Sequence, residues 1–380
     1  MNAEIVKLKR LVVNALAYKE NSSGIGVMLR ELCSAYSRVS GRPCQVVIPQ
    51  DSPDFPVGGR TELLRVPWDH SQNLRRVLFQ TFGLGRAYCG GAVLLTSDSK
   101  CPFFLPKDCT LIPLVTDLAV YRMPRAYQCS RVFLWRLQYS YVRRRTDHFL
   151  AISEFTKSEM VKLWKIQPEK IDIVPCACSD TLHRVDNPQH LRAVKEKYHL
   201  PEQFVLFVGN SNPRKNLNRL IRAFTAAKAE RGFSHRLVIA GEQGWKFNRE
   251  KAVQGCEHPE DIRFIGFVLD EDMAALYSAA SLFVFPTLYE GFGIPVLEAQ
   301  TCGVPVLTSG CTSLPEVGGD GAYYVDPYSE KEIAEGIGKL LTEPELAEKL
   351  VHLGRENVKR FSWERSAKKL EEIIEKEVGT

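Results

Sequence analysis

Short, nearly continuous apolar runs rich in β-branched residues recur along the whole chain. Between them lie longer stretches in which apolar positions return every three to four residues. A first series of runs reads as strands at 11–17 (LVVNALA), 44–49 (CQVVIP), 62–67, 92–97 (AVLLTS), 111–116, 148–153 (HFLAIS) and 171–175. A second series follows at 204–209 (FVLFVG), 236–241 (RLVIAG), 262–268 (IRFIGFV), 281–286 (SLFVFP), 304–309 (VPVLTS) and 322–326. Runs this short, without polar alternation, suit strands covered on both faces. Helical periodicity fills the intervals at 26–38, 130–145, 155–165, 216–230, 271–280, 294–302, 330–342 and 345–359. The alternation predicts an α/β chain of parallel sheets joined by crossover helices.

The segment 179–203, SDTLHRVDNPQHLRAVKEKYHLPEQ, is polar, charged and punctuated by proline, and reads as a linker between two doubly wound domains. A chain of 380 residues has room for two. Ligands of such sheets bind beyond the carboxyl ends of the strands, so a cleft between the domains is the expected site. With 44% hydrophobic and 25% charged residues, a disordered or fibrous chain is excluded. No apolar run approaches the roughly 18 residues of a membrane span. The opening MNAEIVKLKRLVVNALAYKE lacks a small-residue cleavage site, which predicts a cytoplasmic protein rather than a secreted one. The 11 cysteines show no paired CxxC knuckles and read as small buried apolar residues rather than zinc ligands. Charge is uneven: residues 1–180 hold 25 Lys and Arg against 16 Asp and Glu, a net of +9, and the remainder carries −4. A basic half predicts an anionic partner.

The most informative stretch is SLFVFPTLYEGFGIPVLEAQTCG at 281–303. A strand ends near Pro286, a loop carries Glu290-Gly291-Phe292-Gly293, and a helix opens near Ile294-Pro295. Pro295 suits a first helical turn, where its missing N–H costs nothing. The remaining N–H groups of that turn form an anion site aided by the helix dipole. Glu290 precedes this site and Glu298 lies one turn inside the helix, so the two carboxylates are suited to sugar or ribose hydroxyls rather than to the anion itself. In FVGNSNPRKNL at 207–217, Arg214 and Lys215 sit just ahead of a helix. Cations there are unfavourable unless an anion lies between, which points to phosphate. Gly24-Ile25-Gly26 lacks the third glycine of a dinucleotide fingerprint, because Leu29 stands in its place. A loop entering a helix at Gly26 can still close over a diphosphate. Asp270-Glu271-Asp272 has the DxD pattern of metal-dependent sugar transferases, but it precedes a helix and reads as acidic first-turn residues. Residues 130–145, SRVFLWRLQYSYVRRR, form a basic, aromatic-rich helix with two open readings. It either packs on its sheet as an amphipathic helix or meets anionic lipid headgroups.

Together these segments resemble the large retaining family of GT-B-fold glycosyltransferases, which includes bacterial mannosyl- and rhamnosyltransferases of surface-polysaccharide assembly. The likeness runs through FLAISEFTKSEM, FVGNSNPRKNLNRLIRAF, EGFGIPVLE and VPVLTSGCTSLPEVGGDGAYYVDP. It ends in FSWERSAKKLEEII, similar to the family's terminal helix that crosses back onto the N-terminal domain. The resemblance implies a GT-B fold of two Rossmann-like domains. Residues 1–185 would form the acceptor side, with the helix 362–380 returning to it, and 200–361 would bind the nucleotide sugar. Glu290 would face the donor sugar, with Asp117 as the second catalytic candidate, and Glu298 would bind the ribose. Backbone groups of Phe292, Gly293 and Ile294 would hold sugar hydroxyls and phosphate oxygens. Lys215 and Arg214 would neutralise the diphosphate, Gly24 and Gly26 would close over it, and Phe267 and Val268 would hold the base. Asn210 stands where many relatives carry an arginine, and Thr116-Asp117-Leu118 where many carry His-Asp-Leu. Pro175-Cys176-Ala177-Cys178 replaces the usual Asn-Gly-Val.

The implied reaction is retaining, metal-independent transfer of a hexose with no cofactor. GDP-mannose is the first choice of donor, and UDP- and dTDP-sugars remain open. The acceptor would be a glycan or lipid-linked oligosaccharide, the location cytoplasmic with peripheral contact to an anionic membrane, and nucleic acid no partner. Two alternatives stay open: a non-catalytic nucleotide-sugar-binding protein, and a UDP-sugar epimerase of the same fold. A glycoside hydrolase fits less well, because its two carboxylates must flank the scissile bond, whereas Glu290 and Glu298 share one loop and helix.

Overall fold

The computed structural model describes residues 9–19, 24–97, 101–146, 148–244 and 247–378. Residues 1–8 of the amino-terminal segment and 20–23 of the loop before Gly24 lie outside the described residues. The chain forms two compact units, the first reaching to Cys176 and resuming at Ser362, the second spanning Ala177–Phe361. No described helix is long and apolar enough to cross a membrane.

The first unit carries β1 (Leu11–Asn14), β2 (Cys44–Pro49), β3 (Thr61–Val66), β4 (Val93–Ser97), β5 (Thr110–Val115), β6 (Phe149–Ala151) and β7 (Ile171–Ile173). They form one sheet in the order β3-β2-β1-β4-β5-β6-β7, with parallel pairings throughout. In the second unit β8 (Phe204–Val208), β9 (Arg236–Ala240), β10 (Ile262–Gly266), β11 (Leu282–Phe285), β12 (Val306–Ser309) and β13 (Tyr323–Val325) follow the order β10-β9-β8-β11-β12-β13. Both sheets reverse direction of growth beside their first strand, between β1 and β4 and between β8 and β11. In doubly wound sheets that reversal opens the crevice where ligands bind. The near-continuous apolar runs are explained: β1, β4 and β11 are buried at every position, as sheets covered on both faces require.

The segment 179–203 is not a linker. Asn187 caps a helix, Pro188–Lys197, with its side chain accepting from the backbone of Gln189 and His190, and Pro188 occupies the first turn. Val185 and Val194 join the second unit's core, so the boundary falls at Cys176–Ala177 rather than in the 185–200 interval. A second difference lies at 73–88, where helix Asn73–Leu78, a π-helical turn Phe79–Gly83 and helix Leu84–Tyr88 run together.

The final helix, Trp363–Val378, buries Trp363, Ser366, Ala367, Leu370, Ile373 and Ile374, a stripe at helical spacing, and packs against Ile25–Val39. Its Glu371 meets the fully buried Arg42 at 3.0 Å, and Arg42 also donates to the Lys9 carbonyl at 2.8 Å. Removing the carboxylate strands a guanidinium inside the protein. Glu371→Ala is therefore expected to cost about 3 kcal/mol, read as an earlier urea midpoint with faster proteolysis of the final helix.

Candidate active site

The loops leaving β8 and β11 flank the reversal of the second sheet, and each carries half of a charge cluster. After β8 the chain passes Gly209 and Asn210, makes a 3₁₀ turn over Pro213–Lys215, and enters the helix Leu217–Arg231 through Asn216. Asn216 is left-handed at φ +63°, a conformation its short amide tolerates. That amide donates to the carbonyls of Pro286 at 2.9 Å and Pro327 at 2.7 Å, clamping this loop to the one after β11. The N–H of Leu288 donates to the Arg214 carbonyl at 2.8 Å, completing the junction.

Within this frame Lys215 Nζ lies 2.8 Å from Glu290 Oε1, and Arg214 Nη1 lies 3.1 Å from Glu290 Oε2. Arg214 Nη1 also donates to the Tyr289 carbonyl at 3.1 Å. The Lys215 ammonium stands 4.5 Å above the Phe285 ring. Glu290 and Lys215 are both buried. Burial pushes the Glu290 carboxyl up, but the charges of Arg214 and Lys215 outweigh it and hold the group below its ordinary value. Glu290 is thus a fixed anion, and the cluster of two cations and one carboxylate carries a net charge of +1. The anion that balances the cations ahead of the helix is, in part, the protein's own carboxylate.

Gly293 begins the helix Ile294–Thr301 at φ +107°, and a Cβ there would stand 2.5 Å from the Leu314 side chain. Only glycine serves at this turn. Ser313, fully buried, offers its hydroxyl to the carbonyls of Glu290 at 3.0 Å and Phe292 at 2.7 Å. Phe292 turns its ring into the protein against Phe361, at 5.6 Å between centroids. With the Phe292 carbonyl held by Ser313 and the Gly293 carbonyl accepting from Val296 N–H, the N–H edge of this turn is the part suited to a ligand. Ser313→Ala is expected to lower turnover about tenfold while donor affinity stays nearly constant, with a stability loss of about 1–2 kcal/mol. Stopped-time rate assays beside calorimetric titration separate the two.

Glu298 accepts from the buried Tyr277 hydroxyl at 2.7 Å. Burial raises its carboxyl above the ordinary value, Tyr277 opposes that, and the charge of Asp270 adds to it. That coupling brings the end of the β10 loop electrostatically close to Glu298. In this loop Phe267 is half-buried, while the Val268 side chain belongs to the core and leaves only its backbone for a ligand. Asn210 is half-buried beside Gly209. Asp270, Glu271 and Asp272 occupy the first turn of Asp270–Ala279, and Asp272 is tied to Lys197 Nζ at 2.7 Å and the Tyr198 hydroxyl at 2.6 Å.

Three expected residues belong to the first unit. Gly24, at φ +62°, precedes the helix Ile25–Val39, with Gly26 buried in its first turn, beside the reversal of the first sheet. Asp117 follows β5 and accepts at 2.9 Å from the N–H of Ala119, the first residue of the short helix Ala119–Arg122. Asn216, Ser313 and Tyr277 are the residues that sequence reasoning missed. A polar residue at a left-handed helix entry is a usable signal for Asn216. None marks the other two.

Residues 192–357 match the family described as glycosyl transferases group 1. The chain is 34% identical over 251 residues to O-antigen chain mannosyltransferase B of Escherichia coli, covering 65% of each protein, just under two-thirds of that relative. It is 33% identical over 228 residues to the serotype-specific mannosyltransferase WbdA of Escherichia coli, covering 59% of this chain and 28% of that one. Among solved structures, Anabaena Alr3699/HepE in complex with UDP-glucose is similar at a TM-score of 0.72 and 13% identity, covering 97% of this chain and 99% of the other. The chain carries a glycosyl transferases group 1 domain over residues 192–357, set in a GT-B fold of two Rossmann-like domains.

Proposed function

We propose that the protein is a retaining, metal-independent hexosyltransferase that moves mannose from GDP-mannose to a glycan or lipid-linked oligosaccharide in surface-polysaccharide synthesis. It would work in the cytoplasm, peripheral to the inner face of the membrane. The observation that carries this reading is the joint hold of Arg214 and Lys215 on Glu290, beside the helix Ile294–Thr301 at the reversal of the second sheet. The names of two mannosyltransferase relatives favour mannose, and a UDP-glucose-bound structure of the same fold favours a nucleotide sugar in general.

In the proposed reaction the bond between the sugar's anomeric carbon and the diphosphate oxygen breaks, and negative charge grows on the departing diphosphate. Lys215, Arg214 and the N–H groups around Ile294 stabilise that charge, a preorganised arrangement that does not call on a metal ion. Glu290, held as an anion, stabilises the cationic sugar and holds no proton to donate. The acceptor hydroxyl attacks on the face the diphosphate leaves, and its proton passes to a departing phosphate oxygen. Glu298 accepts from the ribose hydroxyls, while Phe267 and Val268 line the base and Gly24 and Gly26 the diphosphate. Asp117 and Asn210 complete the proposed set.

The raised Glu298 and lowered Glu290 carboxyls give the pH dependence a definite order. On acidification Glu298 takes up its proton first, at higher pH than an ordinary carboxylate, and loses acceptor capacity for ribose. Glu290 remains ionised to lower pH. The acid limb of kcat/KM is therefore expected at higher pH than that of kcat, and Glu298→Gln is expected to remove that separation and weaken donor binding. The functional reading itself is tested by thermal shift with GDP, UDP, dTDP and ADP and their sugar conjugates, with and without Mg²⁺. Selective stabilisation by one nucleotide family without metal supports it. No shift with any of them at millimolar concentration overturns it.

A further inference from the structure

The first unit exposes an apolar surface, built largely from two segments without acidic residues, that transfer chemistry does not require. Residues 70–97 and 118–146 contain ten arginines and not one Asp or Glu. Of the ten large hydrophobic side chains that stand exposed among the described residues, eight lie within these two segments or on the short stretch joining them. Leu74 is 74% exposed and Phe133 69%.

The helix Cys129–Arg145 presents two apolar faces. Trp135, Tyr139 and Val142 turn inward to the core. Phe133, Leu134 and Leu137 stand outside it, so one face of this helix packs on the core and the other is exposed. The helical segment at 73–88 adds exposed Val77 and Phe82. Phe82 connects to the helix Cys129–Arg145 through Phe103, 6.2 Å away between ring centroids, which lies 4.9 Å from Tyr141. Residues 103–106 join the two segments. Phe103 N–H donates to the Thr81 carbonyl at 2.8 Å, and the Tyr141 hydroxyl donates to the Phe103 carbonyl at 2.6 Å. Phe82 lies 5.9 Å from Phe104 between ring centroids, and Arg86 stands 4.7 Å over Phe104. Arginines 75, 131, 136, 143 and 144 are exposed around the apolar side chains.

We propose that this composite surface seats the first unit on an anionic lipid bilayer, with Phe82, Phe104, Phe133 and Leu137 entering the headgroup–acyl boundary and the arginines contacting lipid phosphates. Exposed phenylalanine and leucine are poor partners for water and good ones for acyl chains. Exposed basic side chains on segments that carry no carboxylate of their own meet a negative surface with little repulsion. Protein interfaces also pair aromatic side chains with arginine, and the self-association arm of the test below separates that occupant from a bilayer. The inference deepens the peripheral location proposed above but is independent of the donor site, so it survives even if the donor reading fails.

The test is flotation of the full chain with phosphatidylcholine vesicles, with and without phosphatidylglycerol, at low and high salt. Binding is expected only with phosphatidylglycerol and should weaken as salt rises. Phe133→Ser with Leu137→Ser is expected to lower vesicle affinity about tenfold or more. Arg131→Ser with Arg144→Ser is expected to lower it about fivefold per charge on anionic vesicles. All four positions are exposed, and unchanged melting and nucleotide affinity in the same samples confirm intact folding. Equal binding to both vesicle types, or undiminished binding by the apolar double variant, overturns the proposal. So does concentration-dependent self-association abolished by that variant in a chain that ignores vesicles. Loss of nucleotide binding with vesicle binding intact counts against the donor site only.

Discussion

Glu290→Gln is expected to lower turnover about 100-fold or more while nucleoside diphosphate binding stays unchanged or tightens. The two effects differ in sign because the cluster changes charge. Wild type holds two cations around one carboxylate, and the neutral amide leaves both cations to a diphosphate. Ground-state attraction for the diphosphate then rises, while the anion that would stabilise a cationic sugar is gone. A variant that merely misfolded would lose both properties, so the opposed signs separate chemistry from damage. Single-turnover rates with the donor, beside calorimetric titration of the nucleoside diphosphate, read them independently.

Lys215→Met is expected to weaken diphosphate binding about 100-fold and to lower turnover with it. Methionine keeps an unbranched stem against Phe285 but removes the ammonium that stands 2.8 Å from Glu290 and 4.5 Å over the ring. The cluster falls to net zero, with Arg214 alone opposing the carboxylate. Acid stability should change as well. Glu290's folded-state carboxyl lies below its ordinary value, so it adds stability above its unfolded pKa that disappears as pH falls through the folded one. Losing Lys215 raises that folded value and narrows the window. Urea midpoints across the acid range measure this, and an unchanged acid limb would mean that Lys215 does not govern Glu290.

The loop that carries the site was legible because its punctuation is local. Gly293 and Pro295 start a helix by their own backbone constraints, and the apolar run of β11 leads straight into them. Glu290, Glu298, Arg214 and Lys215 could be picked out for the same reason. Their pairing could not: the clamp from Asn216 to Pro286 and Pro327 spans 70 and 111 residues of sequence, and the Ser313 hydroxyl reaches back 23 to Glu290. Segment 179–203 misled in another way. Its proline and charge look like a linker, yet Asn187-Pro188 is a cap and first turn, and buried Val194, with Leu191 packed against the same core and Lys197 tied to Asp272, anchors the helix. Residues 73–88 escaped notice because their apolar side chains do not face one core at a regular period. Leu74, Val77, Leu78 and Phe82 point outward, and two glycines interrupt the stretch.

The central claim is that the Arg214, Lys215 and Glu290 cluster serves transfer of a hexose from a nucleotide sugar. The most direct measurement is release of nucleoside diphosphate from GDP-mannose, UDP-glucose and dTDP-rhamnose, with and without mannose-terminated oligosaccharide, in the presence of a chelator. The account predicts acceptor-stimulated release from GDP-mannose by wild type, with mannose recovered on the oligosaccharide and the signal lost in Glu290→Gln. Release that is equal in wild type and Glu290→Gln, or absent with every donor despite nucleotide binding, would contradict it.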